Sequence, residues 1–142
     1  MKICDLKFDL DELTELYTQV GWTNYSRDPE LIRNAFAGSL CVLGAYEDLQ
    51  LAGIIRAVGD GASILYIQDI VVRPDMQRKG VGTALVRAML ERYPNVYQTV
   101  LLTDDTDVSV EFYKSLGFTA VTDMNCRAFV KINCKAFSKT GF

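Results

Sequence analysis

The run ILYIQDIVV, Ile64 to Val72, constrains this chain more than any other stretch. It is apolar except for Gln68 and Asp69, as expected of an interior strand in a sheet covered on both faces. No linker follows it. Arg73-Pro74 leads into Gln77-Arg78-Lys79-Gly80-Val81-Gly82. A helical pattern then runs from Gly80 to Tyr93, with Val81, Leu85, Ala88 and Met89 on one stripe. Pro94-Asn95 stops it, and Val96 to Leu102 reads as another strand. A strand, helix and strand in such close succession make a crossover, which should be right-handed and place the two strands parallel.

The flanking sequence supplies the rest of the sheet and its covers. Ile3 to Phe8 suggests a short strand. Leu10, Leu13, Leu16, Tyr17 and Val20 follow at helical spacing behind a cap from Asp9 or Asp11. Gly21 to Pro29 reads as a loop, and Leu31, Ile32, Ala35 and Phe36 mark a second helix. Leu40–Tyr46 and Leu51–Val58 form a hairpin about Glu47-Asp48-Leu49-Gln50. Beyond the crossover come a helix over Val108–Leu116, a strand starting at Phe118–Val121 and a last strand over Cys126–Asn133. The expected architecture is one α/β domain over residues 1–142, with a mixed, mostly antiparallel central sheet and helices on both faces.

Charge and residue types exclude several functions. With 15 Lys plus Arg against 18 Asp plus Glu, nothing supports a general nucleic-acid or anionic-membrane binder. There is no histidine, and the four cysteines (Cys4, Cys41, Cys126, Cys134) lie far apart. No metal is therefore expected, and a histidine-dependent triad is excluded. Without a signal-like N-terminus or a long apolar run, a cytoplasmic protein with reduced thiols is the expectation.

The glycine loop is the chemically suggestive element. Gly80 and Gly82 lack Cβ, so a ligand can approach the main chain at a helix start, where unpaired N–H groups favour phosphate oxygens. Arg78 and Lys79 can add positive charge. A tight turn with two solvated cations explains the same residues. The loop lacks the spacing of a dinucleotide fingerprint and the GK[ST] of a P-loop.

YIQDIVVRPDMQRKGVGTALV resembles the acetyl-CoA-binding core of the GNAT N-acyltransferase superfamily, whose [QR]-x-x-G-x-[GA] pattern falls on Gln77 to Gly82. VEFYKSLGF, Val110 to Phe118, is similar to the family's second signature, a helical tyrosine just ahead of Gly-Phe. The resemblance implies the acyl-CoA N-acyltransferase fold and an acetyl-CoA-dependent N-acetyltransferase. It also implies that the backbone of Ile70, Val71 and Val72 pairs with the pantetheine arm. The N–H groups of Gln77, Arg78, Lys79, Gly80, Val81, Gly82 and Thr83 would cradle the pyrophosphate, with Tyr113 near the thioester sulfur. Members often carry Asn and Ala seven and four residues before that tyrosine. Here Thr106 and Ser109 stand there, so Thr106 can offer only a hydroxyl.

Without histidine, proton transfer falls to a carboxylate, a phenol, a backbone carbonyl or water. Asp69 is the conspicuous carboxylate, as base, as substrate or water ligand, or as a structural anchor. Strict alternation would put Tyr66, Gln68, Ile70 and Val72 on one face and Ile67, Asp69 and Val71 on the other. Tyr66 is then a proton relay or a packed aromatic, and Gln68 can only orient an amine or a water. Tyr113, protonated at neutral pH, suits an acid for the leaving thiolate. Trp22, Tyr25 and Arg27 would line the acceptor entrance or merely anchor their loop, with the C-terminal strands as the opposite wall. The amine could belong to a small molecule or a peptide. An acyl-CoA-binding module without acceptor chemistry is the alternative. Phe129, Ile132 and Phe137 would support a homodimer or cover the domain's own core.

Overall fold

The computed structural model describes residues 1–133. Five strands form one sheet in the order β1-β2-β3-β4-β5. They are β1 (Lys2–Asp5), β2 (Cys41–Glu47), β3 (Gln50–Gly59), β4 (Ile64–Val72) and β5 (Gln98–Leu101). The first four are antiparallel neighbours, and β5 lies parallel to β4. The mixed, mostly antiparallel sheet expected from the sequence is present.

Helices cover both faces. On one side α1 (Leu10–Gln19), the single turn α2 (Thr23–Ser26) and α3 (Pro29–Ala37) bury Leu13, Leu16, Tyr17, Ile32 and Phe36 against Ile54 and Val71. Asp9 and Asp28 cap α1 and α3 by accepting from the N–H groups of Glu12 and Leu31, both at 3.1 Å. On the other side α4 (Val81–Arg92) sets Val81, Leu85, Val86 and Met89 against Leu43, Ala45, Ile55, Leu65 and Ile67. The last helix, α5 (Asp107–Ser115), adds Phe112 to that layer. No described helix is long and apolar enough to cross a membrane.

Three sequence expectations need correction. The loop at Gly21–Pro29 contains α2, because local bonds such as Ser26 N–H to the Trp22 carbonyl at 3.1 Å wind it into one turn. No strand begins at Phe118–Val121: Phe118 N–H bonds back to the Tyr113 carbonyl at 3.1 Å, and Val121–Met124 is a 3-10 turn. No strand forms over Cys126–Asn133 either, where every residue is exposed. Alternation alone does not make a strand: residues 127–133 form no backbone hydrogen bond to the described sheet, although the outer edge of β5 is open. Cys134 and Phe137 lie outside the described residues.

The β2–β3 turn carries a built-in cost. Both of its central residues, Asp48 (φ 49°) and Leu49 (φ 71°), are left-handed, and Leu49 is 93% exposed. The left-handed region costs an L-residue about 1–2 kcal/mol, which glycine avoids while losing more entropy on folding. Leu49→Gly should therefore stabilise the protein by about 0.5–1 kcal/mol in urea denaturation. A loss of stability would contradict this account of the turn.

Candidate active site at the fork between two parallel strands

Strands β4 and β5 stay paired only from Ile64–Gln98 to Ile67–Leu101. Beyond Ile67 they separate, and β4 continues to Val72 paired with β3 alone. The fork thus leaves one edge of β4 open over residues 68–72, and an open edge offers unpaired N–H and C=O groups to an added extended chain.

The divergence coincides with a bulge. Arg56 pairs with Asp69 and Ala57 with Ile67, so Gln68 has no partner across the ladder. The bulge corrects the expected face assignment. Leu65 and Ile67 face α4, and so do Ile70 and Val72. Val71 instead packs among α1 and α3, and Asp69 bonds to tyrosines of that same layer. Tyr66 alternates with Leu65 and Ile67, so it shares a side with Asp69 and Val71. Its phenol is held above the ordinary range by burial and by the Asp69 charge.

Asp69 is 1% exposed and its carboxylate is fully engaged. Oδ2 accepts from Arg56 Nε at 2.7 Å and from the Tyr17 hydroxyl at 3.0 Å, while Oδ1 accepts from the Tyr25 hydroxyl at 3.2 Å. Arg56, itself 5% exposed, also donates to Tyr25 Oη, Ser39 Oγ and the Ala35 carbonyl. Tyr17 and Tyr25 stack with centroids 4.5 Å apart, and Trp22 stacks on Tyr17 at 5.9 Å. Burial and the neighbouring carboxylate push both phenols up, so they remain donors at neutral pH. Asp69 and Tyr25 therefore form a buried clamp behind the fork. Trp22 is half-buried over that clamp, and Arg27 is exposed at the end of α2.

At the far end of β4, the chain passes through the turn Pro74–Met76 into the glycine loop and α4. Gln77 Nε2 donates to the Val72 carbonyl at 3.1 Å, tying the loop to the strand end. Arg78 (φ 61°) and Gly80 (φ 83°) are both left-handed. Alternating handedness of this kind points successive N–H groups toward one concavity, which favours an anion. Gly80 precedes α4 without a side-chain cap, so the first N–H groups of the helix are left for a ligand. Gln77, Arg78, Lys79 and Gly80 are exposed, Gly82 and Thr83 are half-buried, and the Val81 side chain is in the core. Val81 can contribute only its main chain. A Cβ on Gly82 would stand 3.5 Å from Phe112, an ordinary contact, so internal packing does not demand glycine there.

Tyr113 is half-buried on α5 between Phe112 and Phe118, at 4.9 and 5.9 Å between ring centroids. Burial raises its phenol, opposed by a hydrogen bond with the Thr103 side chain just past β5, and the Asp104 charge adds to the rise. The group is protonated through neutral pH. Thr106 is occupied as the α5 cap: its Oγ1 accepts from Ser109 N–H at 3.2 Å and donates to Asp104 at 2.9 Å. Sequence reasoning overlooked Arg56, Tyr17 and Thr103. A lone arginine inside the apolar strand LAGIIRAVG was a usable signal, because a buried guanidinium requires a carboxylate partner.

The acetyltransferase (GNAT) domain family matches residues 11–132. The chain belongs to this family. A solved GNAT family acetyltransferase from Streptococcus pneumoniae is 35% identical with a TM-score of 0.82, over 93% of this chain and 96% of that one. An uncharacterized N-acetyltransferase of Prochlorococcus marinus is 30% identical over 127 residues, 85% of this chain and 68% of that protein. Another from Gracilaria tenuistipitata is 32% identical over 81% of this chain, which spans only 63% of that relative's length. Membership supports acetyl-CoA-dependent acetyl transfer in general terms and leaves the acceptor open.

Two substitutions test the parts of the site. Asp69→Asn strands the buried Arg56 charge and should cost about 3–5 kcal/mol in urea denaturation. Unchanged stability with lost turnover would make Asp69 a catalytic base instead. Gly82→Val should weaken CoA at least tenfold by calorimetry while melting within a few degrees of wild type. Undiminished CoA affinity would remove the loop from the site.

Proposed function

We propose that this protein is an N-acetyltransferase that moves the acetyl group of acetyl-CoA directly to a primary amine. The observation that carries the reading is the open edge of β4 over residues 68–72, running into an exposed glycine loop at a helix start. An extended amide-bearing arm fits the first part and a pyrophosphate the second. Ile70, Val71 and Val72 would offer backbone groups to the arm. Arg78 to Thr83 would offer N–H groups to the phosphates, with Arg78 and Lys79 adding charge, while the Gln77 N–H is taken by the Pro74 carbonyl at 3.4 Å.

Acetyl-CoA is a substrate here and supplies an activated thioester. The amine nitrogen forms a bond to the acetyl carbon, the carbon–sulfur bond breaks, and the electron pair leaves on sulfur. The proton shed by the amine passes to water. A proton for the thiolate comes from the Tyr113 hydroxyl, which its raised pKa keeps protonated. Tyr66, also raised, remains a donor at neutral pH and cannot serve as the base; it can orient the amine or its water. Gln68, released from the ladder by the bulge, is a second orienting group. Trp22 stands at the α1–α2 turn and Arg27 at the other end of α2, where the acceptor would enter. No cysteine lies in the fork or the loop, so a covalent acetyl-enzyme has no evident carrier.

Tyr113→Phe keeps the ring packing and removes only the hydroxyl. The transfer step in rapid-mixing experiments should slow by roughly 10²-fold, with little change in CoA affinity. Wild-type activity should persist to high pH and fall only above the ordinary tyrosine pKa of about 10, a fall the variant lacks. Equal transfer rates for the two proteins would make Tyr113 structural. Turnover with no amine in a broad panel, despite tight CoA binding, would favour an acyl-CoA-binding module.

A further inference from the structure

A cavity of about 250 Å3 opens beside α3 at the β1–β2 end of the sheet, with β3 between it and β4. Leu6, Phe8, Phe36, Ala37 and Val42 line it, and among the described residues its one charged lining group is Arg33. The fold leaves this hollow unfilled. Phe8, on the connection from β1 to α1, keeps 49% of its surface exposed although its ring meets that of Phe36 at 5.9 Å between centroids. An apolar hollow offers water few hydrogen-bond partners and takes an apolar ring instead. At this volume it lies below the range of sites for larger ligands, so a single ring with a short tail fits and a long acyl chain does not.

Charge at the rim selects the tail. Arg33 donates to Glu30 one turn earlier on α3, at 3.0 Å, and both side chains are exposed. A surface pair of this kind is worth little, so a ligand carboxylate can compete for the guanidinium and take two parallel bonds from it. Asp9, the acid beside Phe8, is turned to its own helix and accepts from the Glu12 N–H at 3.1 Å. The wall of the cavity also leads inward. Arg56 lies over the Phe36 ring, its Cζ 5.5 Å from the centroid, and donates to the Ala35 carbonyl and to Ser39 Oγ at the same end of α3.

We infer that this cavity binds a small aromatic carboxylate, with the ring against Phe36 and the carboxylate on Arg33. Occupancy is then felt at Arg56, which ties the cavity to the clamp behind the fork. The site is separate from the cleft proposed for acetyl transfer and does not depend on that reading.

Magnetic-resonance titration of the full chain with phenylacetate tests the site. Saturable shifts should appear at the Ala37 and Val42 amides and at the buried Arg56 Nε–H. Phenethylamine, which carries an aromatic ring with the opposite charge, should bind roughly tenfold more weakly. Arg33→Gln removes only an exposed charge and should bring the two probes to about the same affinity. Ala37→Leu, at an exposed position of α3, fills the cavity and should abolish the shifts while the protein melts as wild type does. No saturable shift at those two amides, or undiminished binding by Ala37→Leu, overturns the site. An unmoved Arg56 Nε–H overturns the seat on Phe36, and equal wild-type affinity for acid and amine overturns the assignment to carboxylates. A wild-type dimer whose Ala37 and Val42 amides shift on dilution to monomer would give the cavity to a second copy, and the inference fails. None of these readouts involves CoA, so failure of the acetyltransferase reading leaves them standing.

Discussion

The buried pair of Arg56 and Asp69 is the contact on which the rest of the structure depends. It joins neighbouring strands at the rung where β4 bulges, 2.7 Å between Nε and Oδ2. From it, hydroxyls of Tyr17 on α1 and Tyr25 on α2 reach Asp69, and Arg56 reaches the end of α3 through the Ala35 carbonyl and Ser39. One ion pair therefore holds three helices against two strands. Burying two charges is expensive, and a well-packed apolar replacement is often as stable. Direction is what an apolar replacement would not provide: each donor has one geometry, so the helices cannot slide over the sheet.

That fixed arrangement shapes the site. The bulge at Gln68 turns the strand, so Val71 points to the helix layer while Ile70 and Val72 point toward α4. The same rung lies just past the last pair of β4 with β5, where the edge opens. The clamp thus fixes the fork from behind without occupying it. The glycine loop is positioned from the other end, by Gln77 tied to Val72 and by Val81 sunk into the core. Binding groups at both ends of β4 are preorganised by residues that need not touch a ligand, which reduces the ordering cost of binding.

Much of this was legible in the sequence. The crossover, the hairpin and the helical faces followed from periodicity. The glycine loop followed from missing side chains at a helix start, and the two motifs pointed to the family now shown. The bulge was not legible, because one extra residue leaves no mark on a nearly continuous apolar run, and strict alternation then misassigned every face beyond it. Asp69 was visible as a lone acid in that run, yet Arg56, an equally lone base one strand earlier, escaped attention because pairing across a ladder needs the register. The C-terminal strands were read from alternation that is real in the sequence. Their absence is a matter of pairing, since residues 127–133 make no backbone bond to the sheet, and periodicity cannot specify a pairing partner.

The central claim is that the open edge of β4 and the loop after it form one continuous seat for an extended, phosphate-bearing acyl donor. Amide hydrogen exchange with and without CoA tests it most directly. Slowed exchange should cluster at 68–72 and at 78–83, while the amides of β1 and β2, remote from the fork, stay as they were. Bound CoA with no protection in either stretch would contradict the account, and protection at the loop alone would confine the seat to the phosphates.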